Sequence, residues 1–338
     1  MKTRSGYMQL PWQIQLRDVP LADTPPGGEV LLRVLACGIC GTDLTAAADH
    51  AKTWQPFGHE VAAVIEALGS GPRTAHLKVG KTVVLETSSF CGHCANCRNG
   101  RVDLCNKAPG FWGRPAMGFA DRMLVPAACV VPYEGLAPDI ASLAEPAGVA
   151  MDMIKTARIE LGDAVAIVGP GPIGLMAAAL ALRSGAARVA VIGRSHSTAR
   201  LDVARKLGAE PIAVDGPLAA RADLADQFQH VLHTAPAKTI PTALPLLSYG
   251  GEMTYIGIGP GDGTISFDAN NFHFRKLQLR ASYASPAVYF PATLALLKSA
   301  AIPGPLFISH HFKLAELEKA MHTCRDDKAG VVKIIVEP

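Results

Sequence analysis

Valine, leucine, isoleucine and alanine crowd residues 30–35 and 61–68, with glycine and proline at the joins. Short aliphatic runs between turn formers fit pleated strands with tight connections, so residues 1–145 predict an irregular β-rich domain. The pattern changes after Glu145: 164–168 is a short apolar run, 173–183 has helical spacing closed by Gly185, and 189–192 is apolar again. Strand, helix and strand in that order make a βαβ unit. Apolar runs at 231–232 and 253–258, with helix-like segments between, extend it into a parallel sheet covered by helices on both faces, an α/β arrangement. The tail predicts a helix over 314–324 and a strand over 331–336, which we expect to return to the first domain. No internal repeat or low-complexity linker interrupts the chain.

A length of 338 residues exceeds one ordinary core and predicts two domains. Hydrophobic residues at 49% against 18% charged ones support large buried layers and argue against disorder. The net charge of +3 is spread without runs of one sign, which argues against a nucleic-acid partner. Residues 1–15 carry no apolar leader, and the longest apolar stretch, 175–182, falls far short of the ~20 residues that span a bilayer. The expectation is a soluble cytoplasmic protein without a membrane partner.

Eight cysteines in a chain of this kind point to metal ligation before disulfides. Cys91, Cys94, Cys97 and Cys105 follow C-x2-C-x2-C-x7-C, with Gly92 and Gly100 relaxing the backbone. Four thiolates converging on one ion make a closed tetrahedral zinc site with no position for substrate, hence a structural one. Free or disulfide-bonded cysteines and an iron–sulfur cluster are the alternatives. A second set is open: Cys40 lies in Gly38-Ile39-Cys40-Gly41-Thr42-Asp43, and Gly58-His59-Glu60 follows, His59 lying 19 residues after Cys40. A thiolate, an imidazole and a carboxylate leave a fourth zinc position for water or a substrate oxygen.

The run Cys40-Gly41-Thr42-Asp43, then Gly58-His59-Glu60, the four-cysteine loop, Glu145-Pro146 and a glycine-rich turn resembles the zinc-containing medium-chain alcohol dehydrogenase family along nearly the whole chain. Glu145-Pro146 is similar to the branch of sorbitol, other polyol, sugar and threonine dehydrogenases. The resemblance implies Cys40 and His59 as catalytic zinc ligands, either Glu60 or Glu145 as the third, Thr42 as first proton acceptor, and Asp43 as a residue orienting a ligand. It also implies a homodimer or homotetramer. Three departures touch the substrate side: a short Cys40-to-His59 loop, Asp152 in place of a common histidine, and Arg122 where an aromatic residue is frequent.

Gly169-Pro170-Gly171-Pro172-Ile173-Gly174 fits G-x-G-x-x-G between a strand and a helix, the Rossmann turn that seats a dinucleotide pyrophosphate at a helix N-terminus. Where that fold usually places a ribose-binding carboxylate stands Gly193, followed by Arg194 and Ser195. Loss of the carboxylate and gain of a guanidinium favour NADP over NAD, with Arg200 sharing the phosphate.

The sequence therefore predicts a GroES-like catalytic domain (1–145 and 286–338) around a Rossmann nicotinamide domain (146–285), with substrate and cofactor meeting in the cleft. The expected activity is hydride transfer between NADP(H) and a polyol, sugar or other secondary alcohol. A threonine-type amino-alcohol dehydrogenase is the enzymatic alternative; a non-catalytic zinc-ribbon module and a zinc-free quinone-type reductase are the others.

Overall fold

The computed structural model describes residues 1–257 and 263–338. The chain divides into two units, Met1–Gly148 with Ala284–Asp326 and Lys333–Pro338, and Val149–Tyr283 with Asp327–Val332. The tail is thus shared: its helix Leu317–Asp326 and strand Lys333–Glu337 belong to the first unit, and the six residues between them to the second.

The first unit holds a seven-stranded sheet whose path runs Ile308–Lys313, Lys333–Glu337, Glu29–Gly38, Glu60–Leu68, Thr82–Leu85 and Val130–Pro132, with Arg122–Pro126 also paired to Glu29–Gly38. The two strands expected from the aliphatic runs are its centre. Their antiparallel register sets Gly38 opposite Glu60, while Lys333–Glu337 sets Ile335 opposite Gly38 on the other side. Three chain segments remote in sequence therefore meet at the end of one strand. A three-stranded sheet of Lys2–Gln9, Gln13–Pro20 and Gln55–Pro56 lies beside them in sequence order 2-1-3.

Just past Thr82–Leu85, Glu86 is only 6% exposed. Burial pushes its carboxyl up to about 7 against a hydrogen bond from Ser89. An acid whose pKa is raised by folding holds its proton more tightly in the native state. Stability should therefore fall as pH rises from the ordinary glutamate range through about 7, and level off above it. Glu86→Gln should flatten that slope and gain on the order of 3 kcal/mol over wild type at alkaline pH. Denaturant titrations across that range measure it.

The second unit is a six-stranded, wholly parallel sheet in the order Glu210–Ala213, Arg188–Gly193, Ala164–Val168, Phe228–His233, Leu247–Tyr255, Gln278–Ala281. In chain order that is 3-2-1-4-5-6, the doubly wound dinucleotide-binding topology. The strand expected over 253–258 runs from Leu247 to Tyr255, and Ile258 lies outside the described residues. The helix expected over 173–183 is Pro172–Arg183, with proline in its first turn and an all-apolar buried run, Gly174 to Ala181. Phe228, Val231, Leu247 and Met253, all fully buried, anchor one layer of this core. Among the described residues no helix is long and apolar enough to cross a membrane.

Candidate metal centres and cofactor loop

The strand register explains how the first site forms. Cys40 caps the short helix Gly41–Thr45, two residues past Gly38, and His59 precedes Glu60 on the facing strand. A sulfur of Cys40, a ring nitrogen of His59 and a carboxylate oxygen of Glu60 all lie within 4.8 Å of one another. Gly38 must be glycine, because a Cβ there would run into the Glu60 carboxylate. Asp43, 2% exposed, accepts the Cys40 amide at 2.9 Å through Oδ2 and places Oδ1 3.7 Å from His59 Nδ1. The Thr42 hydroxyl stands 3.6 Å from Cys40 Sγ.

The sequence pattern did not reveal Lys333. Its buried Nζ donates to both oxygens of Glu60 at 2.6 Å and to the Ile39 carbonyl at 2.9 Å. The two candidate third ligands differ: Glu60, held by an ammonium, is the carboxylate within that 4.8 Å group, whereas Glu145 is outside it and sits half-buried in the first turn of the helix Ala144–Ala157, near enough to act on His59 through its charge. Burial pushes Glu145 up to about 7, with His59 opposing and Glu60 reinforcing. Burial is also the largest influence on His59 and acts against its charge. The Cys40 sulfur, Asp43 and Glu145 outweigh it and hold the ring well above its ordinary range. A thiol and three carboxyls therefore face one imidazole and one ammonium, and among the described residues His59 Nδ1 has no hydrogen-bond partner. A buried, acid-rich set of sulfur, nitrogen and oxygen donors fits a divalent zinc ion.

Trp112 was also not anticipated. Its ring is 5.1 Å from that of His59, tilted by 41°, and it is 54% exposed, giving the site an open aromatic rim. Arg122, expected on the substrate side, is instead a sheet residue: its guanidinium holds Glu66 at 2.6 and 3.2 Å, since an arginine on a half-exposed strand pairs with the nearest carboxylate. Asp152 accepts the Ser282 hydroxyl at 2.5 Å.

Cys91, Cys94, Cys97 and Cys105 come together with none of them paired in a disulfide. Their sulfurs are separated by 3.9 Å (Cys91 to Cys97), 3.5 Å (Cys94 to Cys97) and 3.9 Å (Cys94 to Cys105). A tetrahedron with bonds of about 2.3 Å has edges of about 3.8 Å, so the cage already has the dimensions of a four-sulfur zinc site. Backbone N–H groups, that of His93 foremost, draw the Cys91 thiol down to about 6, whereas burial pushes Cys97 up to about 12, so without a metal the four sulfurs differ in their readiness to ionise.

In the second unit the glycine turn follows Ala164–Val168. A Cβ on Gly174 would collide with the Gly169 carbonyl, so the helix carrying Pro172 and Ile173 packs against the turn only with glycine there, and Gly171 caps it. The Thr234 hydroxyl donates to the carbonyls of Gly169 at 2.8 Å and Val168 at 3.2 Å and pins the loop. Arg188–Gly193 ends at Gly193, whose missing side chain makes room for Pro170. Arg194 then reaches the carbonyls of Val214 and Gly216, both at 3.3 Å, and the Ser195 amide donates to Asp215 at 2.9 Å. Arg200 donates from Nε to the Val331 carbonyl at 2.8 Å, tying the helix Thr198–Lys206 to the tail segment of its unit.

Residues 26–139 match the family described as "Alcohol dehydrogenase GroES-like domain", and residues 172–299 the one described as "Zinc-binding dehydrogenase". L-Galactonate-5-dehydrogenase of Escherichia coli K12 is 29% identical over 314 residues, 89% of this chain and 88% of its own. L-Threonine 3-dehydrogenase of Chromobacterium violaceum is 29% identical over 343 residues, covering 94% and 95%. Among solved structures, an alcohol dehydrogenase of E. coli CFT073 complexed with NADH aligns with a TM-score of 0.86 at 25% identity, covering 100% of this chain and 99% of its own. A zinc-binding dehydrogenase of Sinorhizobium meliloti 1021 bound to NADP aligns with a TM-score of 0.86 at 25% identity, covering all of both chains.

Proposed function

Because this chain belongs to the zinc-containing medium-chain alcohol dehydrogenase family and is thus a zinc-dependent dehydrogenase of small alcohols, we propose that it moves hydride between NADP(H) and a polyol, sugar or other secondary alcohol or its ketone. The observation carrying this reading is the coexistence of two donor sets, one a closed cage of four sulfurs and the other an open set of Cys40, His59 and carboxylate. We read the first unit as the catalytic domain and the second as the nicotinamide domain, in a cytoplasmic oligomer. The sheet edge Gln278–Ala281, open among the described residues, and the exposed Tyr249, Phe274 and Tyr283 support a subunit contact on the second unit.

Cys40 and His59 would hold the catalytic metal, with Glu145 as third ligand because both oxygens of Glu60 are engaged by Lys333. Glu60 then stands by as an exchange partner. A zinc ion held there would polarise the substrate oxygen, and a bound nicotinamide would supply or take the hydride. Thr42, beside Cys40, would relay the substrate's hydroxyl proton, accepting it while passing its own on to solvent; Asp43 fixes the Cys40 amide and faces His59; Trp112 offers an apolar face to the C–H groups of a carbon chain. The galactonate relative supports a polyol or sugar acid, and the threonine relatives support an amino alcohol as the second reading.

A panel of polyols, sugar acids, secondary alcohols and L-threonine, run with both cofactors, tests this reading. The highest kcat/KM should fall on a polyol or sugar with NADP. L-Threonine as the best substrate would establish the second reading instead. Arg194→Ala should lower the NADP-to-NAD ratio of kcat/KM by about ten- to a hundredfold, because one charge-assisted hydrogen bond contributes about 1.5 to 3 kcal/mol. A wild-type preference for NAD, or a ratio untouched by the substitution, contradicts the NADP assignment.

A further inference from the structure

We infer that Asp215 is a specificity-determining residue for the cofactor, a resident anion occupying the backbone donor that a ribose 2′-phosphate would use. The inference rests on the reading of Arg194 as that phosphate's partner. Two turns from adjacent parallel strands build the place. Gly193-Arg194-Ser195 ends Arg188–Gly193, and Val214-Asp215-Gly216 follows Glu210–Ala213, with Ile192 level with Ile212 and Gly193 with Ala213. Arg194 donates to the carbonyls of Val214 and Gly216, on either side of Asp215, while the Asp215 carboxylate accepts the Ser195 amide at 2.9 Å. The turns thus form one clamp with an exposed carboxylate between a guanidinium and an amide N–H. The Ser195 amide, then the Ser195 hydroxyl, then the Arg194 charge hold that carboxylate below the usual aspartate range.

A phosphate on the ribose needs the same two donors, Arg194 and the Ser195 amide, and meets the Asp215 charge beside them. An unphosphorylated ribose meets no such repulsion, and its 2′-hydroxyl finds in Asp215 the acceptor that Gly193 does not supply. Asp215 therefore lowers the preference for the phosphorylated cofactor and allows the other to bind. The charge, rather than the hydrogen bond to Ser195, sets the ratio, since asparagine keeps an acceptor oxygen in the same place.

Dissociation constants of 2′,5′-ADP and 5′-ADP, measured by calorimetry on the full chain, test this without knowledge of the substrate. Asp215→Asn should tighten 2′,5′-ADP about three- to tenfold and leave 5′-ADP unchanged or weaker, as expected for removal of one like charge at a solvated site. Asp215→Glu should restore the wild-type ratio. A ratio unchanged or lowered in Asp215→Asn overturns the inference. Arg194→Ala, measured alongside, separates the two readings. A wild-type protein that favours 5′-ADP and is indifferent to Arg194→Ala defeats the NADP assignment. A loss of 2′,5′-ADP binding in Arg194→Ala, with no change in Asp215→Asn, defeats the role of Asp215 alone.

Discussion

Cys40→Ser protein should fold with its secondary structure intact and lose turnover by on the order of a thousandfold. Cys40 sits at a helix cap, half-exposed, and contributes little packing; its replacement leaves the sheet register around Gly38 and Glu60 untouched. What it removes is the soft anionic donor of the open metal set. A metal that polarises the reacting oxygen lowers the barrier by several kcal/mol, and each 1.4 kcal/mol is about a factor of ten. Glu145→Ala should cut kcat/KM by a smaller factor, about ten- to a hundredfold, because Glu60 remains as a second carboxylate. Steady-state kinetics with the best substrate of the panel, beside circular dichroism, checks both. Near-normal turnover in Cys40→Ser would remove the open site from the reaction.

The second large effect falls on stability. Lys333→Met leaves the buried Glu60 carboxylate, 1% exposed, without the ammonium that bonds both its oxygens. Breaking a buried pair by deleting one partner costs about 3 to 5 kcal/mol, since the remaining charge stays buried and uncompensated. For a protein of this size that lowers the midpoint of thermal unfolding by on the order of ten degrees. Glu60→Gln in the same background should recover much of the loss, and the four melting curves of the double-mutant cycle isolate the pair itself. The cycle should be run on zinc-stripped protein, so that Glu60 freed from Lys333 cannot gain a metal bond in its place. Additive losses would show that the two residues do not stabilise each other.

The four-cysteine cage was legible because its ligands lie within fifteen residues of each other, Cys91 to Cys105, and need no tertiary contact to be recognised. Cys40 and His59 were legible only through the motifs around them, as the antiparallel register that joins them is a long-range property. The parallel strands at 164–168 and 189–192 announced themselves as apolar runs, since a central parallel strand is buried on both faces. Glu210–Ala213 and Gln278–Ala281, the two edges, were missed: they are short, half-exposed and mixed in character. Lys333 was illegible for a different reason. It interrupts an apolar tail strand in the manner of a surface residue, and its partner is 273 positions away. Asp215 and Trp112 were likewise placed by pairings that no local pattern encodes.

The claim on which the rest depends is that two metal sites of different kind coexist in one chain, one holding structure and the other performing chemistry. Elemental analysis of zinc per chain in wild-type, Cys40→Ser and Cys94→Ser proteins tests it most directly. The account predicts two zinc ions per chain in wild type, one in Cys40→Ser, which keeps its fold, and in Cys94→Ser a lost structural ion together with lowered thermal stability. No more than one tightly bound zinc in fully loaded wild-type protein would contradict it.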